Sequence, residues 1–299
     1  MINKTQISEL FPGAIFDEPM KTHTTFRIGG KADCFINATS IDDVKDVLAY
    51  AKENNIPLLV MGNGSNMLVS DKGIRGIVLR ISKEMNDCKI NGCEVFAQAG
   101  ILLSNLASRI QKAGLSGFEE LSGIPGTLGG GIYMNAGAYG GELKNIIKEV
   151  TFITRDGVLS TLSAHELDFG YRHSIFEDNG AIILSATLIL QKGNPEEIKE
   201  KMNEFTKRRN DKQPINMPSA GSTFKRPEGY FAGKLIQDSN LKGYSIGGAQ
   251  VSEKHSGFVV NTGDATAADV LNLIRHVQNT VKKNFGVELE PEIRLIGEK

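Results

Sequence analysis

The chain has no tryptophan, and only three cysteines and nine prolines in 299 residues. Cys34, Cys88 and Cys93 are an odd set without Cys-x-x-Cys spacing, which argues against a disulfide framework or a cysteine-based zinc site and leaves packing as their role. An excess of charge is also missing. With 34 Lys and Arg against 35 Asp and Glu, the net charge is −1, so the bulk charge points to neither a nucleic acid nor an anionic membrane surface. An anionic ligand would have to be met by local cations. No apolar run nears the roughly 20 residues of a membrane helix, and Met1 opens a polar stretch without the basic-then-apolar pattern of a leader. The expectation is a cytoplasmic protein. His23, His165, His173, His255 and His276 are scattered without His-Glu-x-x-His or other close ligand spacing, so no metal is expected. There is no Gly-Lys-Ser/Thr phosphate loop and no three-glycine Rossmann fingerprint, which disfavours both common nucleotide folds.

What is present is enough chain for two or three well-buried units with ordinary apolar and charged fractions. A strand over residues 34–38 is followed by a helix capped by Ser40 with Asp43 three residues on, its apolar stripe being Val44, Val47, Leu48 and Ala51. Pro57 starts a strand through residues 58–61 that runs into Gly62-Asn63-Gly64-Ser65-Asn66. Further strands are expected at 76–81, 94–97, 150–154, 158–162 and 181–190, with a hairpin turn at Arg155-Asp156-Gly157 and a helix over 103–113 that Gly114 ends. Pro195 opens a helix to about residue 209. Helices near 231–238 and over 267–284, the latter boxed by Thr266 and Asp269 and ended by Gly286, lead to a closing strand over 287–296. In that strand Val287, Leu289, Ile293 and Leu295 alternate with Glu288, Glu290, Glu292 and Arg294, and Pro291 marks an edge or bulge. The pattern is α+β.

Three segments stand out chemically. In residues 62–66 two glycines permit positive φ and leave the backbone bare, so successive N–H groups can face one phosphate, although a tight turn is the commoner use of such a string. Residues 121–141 carry eight glycines among apolar anchors such as Ile124, Leu128 and Ile132. Bare backbone beside apolar anchors suits a flat ring and a pyrophosphate together, and it equally suits close packing of helix on sheet. Residues 219–227 combine hydroxyls, a glycine bend and the adjacent cations Lys225 and Arg226.

Taken in order, these motifs resemble the UDP-N-acetylenolpyruvoylglucosamine reductase (UDP-N-acetylmuramate dehydrogenase) family. The resemblance runs over nearly the whole chain, through Thr24-Thr25-Phe26-Arg27-Ile28-Gly29-Gly30, the two glycine segments, Tyr171-Arg172, Gly221-Ser222-Thr223-Phe224-Lys225 and Glu290-Pro291-Glu292-Ile293-Arg294. It implies an α+β fold with a flavin domain of the vanillyl-alcohol-oxidase (PCMH) type, split into subdomains at 1–85 and 86–205, and a substrate-binding α+β domain at 206–299. It implies noncovalent FAD, clasped by Gly62, Asn63, Gly64, Ser65 and Asn66 and by Gly123, Pro125, Gly126, Thr127, Gly129, Gly130, Asn135, Gly137, Ala138, Tyr139 and Gly140.

The implied reaction uses NADPH to reduce the flavin, which then reduces UDP-N-acetylglucosamine enolpyruvate to UDP-N-acetylmuramate for peptidoglycan. Carried over residue by residue, Ser222 is the proton donor, while Arg172 and Glu292 hold and polarise the enolpyruvyl carboxylate. Lys212, Arg226 and Lys242, with Lys225 beside them, are candidates for the substrate diphosphate, and Arg294 supports the Glu292 carboxyl group. Where some family members carry asparagine, this chain has Arg226, and the short stretch from Arg172 to Lys212 matches the family form without an extra tyrosine-bearing loop. No protein partner is implied. Two rival readings are a flavin oxidase of the same fold and a catalytically silent UDP-sugar-binding module. The first would need a base rather than a proton donor at the substrate, and the second would not need intact glycine segments.

Overall fold

The computed structural model describes residues 2–298. Its helices start and stop where local chemistry dictates. Ser40 Oγ accepts from Asp43 N and the Asp43 carboxylate accepts from Ser40 N, opening helix Ile41–Glu53 with Val44, Val47, Leu48 and Ala51 buried. Thr266 and Asp269 make the same reciprocal box at the head of Ala267–Phe285, and Gly286 ends that helix in the left-handed conformation at φ 70°. Leu103–Lys112 stops just before Gly114, at φ 68°.

One sheet has the strand order Ile15–Pro19, Lys31–Ala38, Ile74–Ile81, Leu58–Met61, and its last pair is parallel with Leu58 opposite Ile77 and Met61 opposite Arg80. A second, wholly antiparallel sheet runs Leu159–Ser163, Ile147–Ile153, Ile182–Ile189, Glu94–Gln98, Cys88–Asn91. Its first hairpin turns at Arg155-Asp156-Gly157, with Gly157 at φ 86°. This mixture of parallel and antiparallel pairing with separate helices is the expected α+β architecture.

The chain divides into two compact units. The first holds the residues up to Ala14, Phe35–Asn63 and Ile77–Arg208, and its core includes Val95, Leu106, Val150, Leu184, Leu188 and an edge-on pair of rings, Phe152 and Phe176. The second holds Ile15–Cys34, Gly64–Gly76 and the residues from Arg209 on. There the apolar face of Ala267–Phe285 is buried with Phe26, Leu68, Phe224, Leu235, Val259 and Ile293. Cys34 is buried, Cys88 and Cys93 are half-buried, and none of the three is in a disulfide. No helix among the described residues is long and apolar enough to cross a membrane.

Two expectations need correction. The closing strand is only Arg294–Ile296, parallel to Met67–Val69, while Pro291 makes one isolated bridge to Phe224. Proline has no N–H to give, so a ladder cannot pass through it, and Leu295 is left 42% exposed instead of joining the buried face. The helix opened by Pro195 runs on to Lys212. The glycine-rich stretch, for which no element is expected from the sequence, contains a short helix, Leu128–Tyr133, because Thr127 caps it and Leu128 and Ile132 anchor it in the core.

Candidate active site

In the first unit the start of the first glycine-rich segment, Gly62 and Asn63, meets the second. Strand Leu58–Met61 delivers Gly62 against Thr127, where a Cβ on residue 62 would lie 2.2 Å from Thr127 Oγ1. Asn63 Nδ2 donates to Pro125 O at 2.7 Å. Thr127 Oγ1 also accepts from Gly130 N, so the residue that crowds Gly62 caps the short helix. Gly129 and Gly131 serve packing, since a Cβ would meet Ala99 Cβ at 2.9 Å and Leu143 Cδ1 at 2.8 Å respectively. Gly140 has open space around it at φ 95° and follows Tyr139 at φ 53°, which gives the two-residue turn of the hairpin Gly137–Ala138 and Gly141–Glu142.

These features fit a flavin nucleotide. Among the described residues the backbone N–H groups of Asn63, Gly64 and Ser65 donate to no protein acceptor, and such successive amides suit pyrophosphate oxygens without adding charge. We expect Gly62→Ala to displace Thr127, cost about 1–3 kcal/mol as overpacking, and weaken FAD retention. Thermal melting together with the visible flavin absorbance after gel filtration checks this, and an unchanged Tm with full flavin content would refute it.

Arg172 sits on a loop docked onto the second glycine segment. Gly170 and His173 pair across Tyr171-Arg172, and Arg172 itself is left-handed at φ 56°, a conformation that costs a side-chain-bearing residue about 1–3 kcal/mol. Three bonds fix the loop: Asn135 Nδ2 to Gly170 O at 2.9 Å, Ser174 Oγ to Tyr133 O at 2.7 Å, and Arg172 Nη2 to Gly137 O at 3.3 Å. The guanidinium also lies 5.2 Å from the Tyr171 ring centroid. Burial raises the nearby Glu142 carboxyl group, but hydrogen bonds from Lys144 and Asn135 and the charges of Lys144 and Arg172 outweigh it and hold the pKa below the ordinary value. The far side of the loop is gripped at His173, whose ring nitrogens lie 3.4 Å from Asp168 and Glu177 and 3.6 Å from Asp178. Asp168, His173 and Asp178 bring ligand-type atoms within 4.8 Å of one another on an exposed surface, a common arrangement without any ion.

In the second unit the serine segment and the glutamate segment lie side by side. Glu292 N donates to Thr223 O and Lys225 N donates to Glu290 O, both at 2.8 Å, around the Phe224–Pro291 bridge. Thr223 is buried, its N–H donates to Gly257 O at 2.8 Å, and its hydroxyl accepts from Val259 N at 2.9 Å. Ser222 is exposed beside Gly221, at φ 79°. Asn66 bridges to the same place, its side chain donating to Glu292 O and its carbonyl accepting from Arg294 N. Thr223, next to Ser222, is thus joined to Glu292, and Asn66 joins Glu292 to Arg294, with Lys225 in a 2.6 Å ion pair with Glu290. The Thr24–Gly30 motif acts as a tie: Thr25 N donates to Gly64 O, and its hydroxyl donates to Ser219 O. Lys212 and Lys242 are exposed, and nothing among the described contacts brings either to this cluster.

Two sequence models match the chain, one described as an FAD binding domain over residues 32–163 and one as the C-terminal domain of UDP-N-acetylenolpyruvoylglucosamine reductase over 213–296. Curated UDP-N-acetylenolpyruvoylglucosamine reductases of Caldanaerobacter subterraneus subsp. tengcongensis and Clostridioides difficile are 53% and 52% identical, over 95% and 94% of this chain and 93% of each relative. The chain belongs to the UDP-N-acetylenolpyruvoylglucosamine reductase family. The crystal structure of a family member from Thermus caldophilus superposes with a TM-score of 0.81 at 35% identity, over 94% of this chain and 97% of that one.

Within that family architecture, the structure adds residues the motifs did not flag. His255 lies on the turn whose Gly257 carbonyl receives Thr223 N–H, and its Nδ1 accepts from Gly257 N at 3.1 Å, which places the ring proton on Nε2. Burial, with Lys212 adding to it, lowers its pKa below the ordinary 6.5, against an opposing backbone hydrogen bond. The native state therefore binds fewer protons than the unfolded chain below about 6.5, so this contribution to stability is full above that pH and is lost as pH falls towards the depressed native value. We expect His255→Gln to lose less Tm than the wild type between about pH 7.5 and about pH 5.5, and parallel losses would refute the assignment. A string that motif reading passes over, Gly243-Tyr244-Ser245-Ile246-Gly247, has the spacing of a hydrolase nucleophile elbow. Ser245 instead lies in a two-residue strand antiparallel to Ala249–Val251, a hairpin and not a strand-to-helix turn.

Proposed function

We propose that the chain is a cytoplasmic FAD-containing oxidoreductase that uses NADPH to reduce UDP-N-acetylglucosamine enolpyruvate to UDP-N-acetylmuramate, a step of peptidoglycan precursor synthesis. The observation that carries this reading is the pairing of the Ser222–Lys225 segment with Glu290–Glu292, in a chain whose family model and relatives carry that enzyme name. Bound FAD supplies the two-electron chemistry that links NADPH to the enolpyruvyl double bond. Gly62–Asn66 and residues 123–140 hold it, with Asn63, Gly64 and Ser65 amides available to the pyrophosphate.

The remaining work belongs to the protein's own side chains. Ser222 Oγ gives its proton to the substrate carbon next to the one that is reduced. A serine hydroxyl is a weak acid, so it serves only when held close to developing carbanion character. Arg172 binds the enolpyruvyl carboxylate and stabilises the negative charge that grows on it. Glu292, in its protonated form, donates a hydrogen bond to the same carboxylate, and Arg294, two residues on, orients it. Arg226, Lys225, Lys212 and Lys242 meet the diphosphate of the UDP group. We divide the chain into flavin subdomains at 1–85 and 86–205 and a substrate domain at 206–299.

The test is an anaerobic absorbance titration of the FAD-loaded protein. The flavin band should bleach with NADPH and return with UDP-N-acetylglucosamine enolpyruvate. Failure to bind FAD after reconstitution would leave a binding module, and recovery with oxygen alone would leave an oxidase.

A further inference from the structure

We propose that Phe231 is a positioning residue for substrate recognition: its exposed ring holds the Arg226 guanidinium ready for the diphosphate of the substrate. The inference rests on the reading of Arg226 given above and assigns a role to a residue that touches neither cofactor nor reacting atoms.

Phe231 is 59% exposed, more than any other large apolar side chain among the described residues. One exposed phenylalanine needs no explanation by itself. This one has the Arg226 guanidinium carbon 4.0 Å from its ring centroid, closer than the cation–ring contacts of Arg80, Arg172 and Arg208, which lie at 5.2 to 5.9 Å. At that separation the ring covers one face of the guanidinium. The N–H donors lie in the plane of the group, so stacking leaves their fork geometry suited to two phosphate oxygens at once.

Both ends of the pair are fixed. Phe231 immediately precedes helix Ala232–Asp238 and its carbonyl accepts from Lys234 N and Leu235 N, while Leu235 and Ile236 are buried in the core of the second unit. Arg226 follows Lys225, whose backbone N–H and ammonium both bind Glu290, in the segment that carries Ser222. The ring therefore restricts a long side chain four residues beyond the proton donor. An arginine loses much rotamer freedom on binding an anion, and a platform that removes part of that freedom beforehand strengthens binding.

The experiment uses the FAD-loaded enzyme with saturating NADPH and varied UDP-N-acetylglucosamine enolpyruvate, comparing wild type, Phe231→Leu, Phe231→Tyr, Arg226→Ala and the Arg226→Ala/Phe231→Leu double variant. Phe231→Leu should raise KM about two- to fivefold, the span of an exposed cation–ring contact, with kcat and the anaerobic rate of flavin bleaching by NADPH at wild-type values. Phe231→Tyr should restore KM, Arg226→Ala should raise it on the order of tenfold or more, and adding Phe231→Leu to Arg226→Ala should change nothing further. A wild-type KM in Phe231→Leu, or an equal rise from Phe231→Leu without Arg226, would overturn the proposal alone. A wild-type KM in Arg226→Ala would overturn the reading of Arg226 and the proposal with it.

Discussion

A Ser222→Ala enzyme should bleach its flavin with NADPH at close to the wild-type rate and then recover its colour with the enolpyruvyl substrate about 10²- to 10⁴-fold more slowly, the usual worth of a positioned proton donor. The structure makes this substitution a clean one. Ser222 is exposed, and its hydroxyl makes no hydrogen bond to another described residue, so removing it leaves no buried partner stranded. Its neighbour Thr223 holds the segment in place, through its N–H to Gly257 O, its hydroxyl from Val259 N and its carbonyl from Glu292 N. Alanine at 222 should therefore leave the Glu292 pairing and the protein's Tm nearly unchanged. Stopped-flow absorbance under anaerobic conditions reads the two halves separately. Equal slowing of both halves would mean that Ser222 supports flavin binding or NADPH access, and no slowing of either would place the proton donor elsewhere.

The features legible in the sequence are those whose cause lies within a few residues. The reciprocal caps of Ser40 with Asp43 and Thr266 with Asp269 need only a three-residue spacing, and both form. Arg155-Asp156-Gly157 needs only a residue tolerant of positive φ at its end, and it turns the hairpin as expected. The closing segment is not legible in this way, because its partners lie far away in the chain. Arg294–Ile296 pairs with Met67–Val69, and Pro291 faces Phe224, and alternation of apolar residues says nothing about which strand will be next to which. The glycines belong with the closing segment. Gly129 and Gly131 are small because Ala99 and Leu143 press on them, and Gly62 is small because Thr127 stands in its way, none of them a near neighbour in the chain. A glycine in a sequence records that something comes close, not what it is.

Asn135 has a structural use that its motif does not show, and Asn135→Ala is expected to destabilise the protein by about 2–4 kcal/mol, as three part-buried hydrogen bonds worth roughly 0.5–1.5 kcal/mol each are lost. The residue lies in the glycine-rich segment and reads as a flavin contact. In the structure it is buried, at 1% exposure, and its amide is fully engaged by protein: Nδ2 donates to Glu142 Oε2 at 2.8 Å and to Gly170 O at 2.9 Å, and Oδ1 accepts from Lys144 N at 3.0 Å. It joins the hairpin of the glycine segment to the loop that carries Arg172. Losing it should free that loop, so that KM for the enolpyruvyl substrate rises while flavin reduction by NADPH is less affected. At about 2–4 °C per kcal/mol for a chain of this size, the Tm should fall by about 10 °C. Asn135 is also left-handed at φ 42°, where alanine is strained by about 1–2 kcal/mol and glycine is not. Asn135→Gly should therefore recover part of the Tm lost in Asn135→Ala without recovering KM, since it relieves the backbone and not the missing amide. If Asn135→Ala instead releases FAD at a wild-type Tm, the amide faces the cofactor in the working enzyme and its link to the Arg172 loop is secondary.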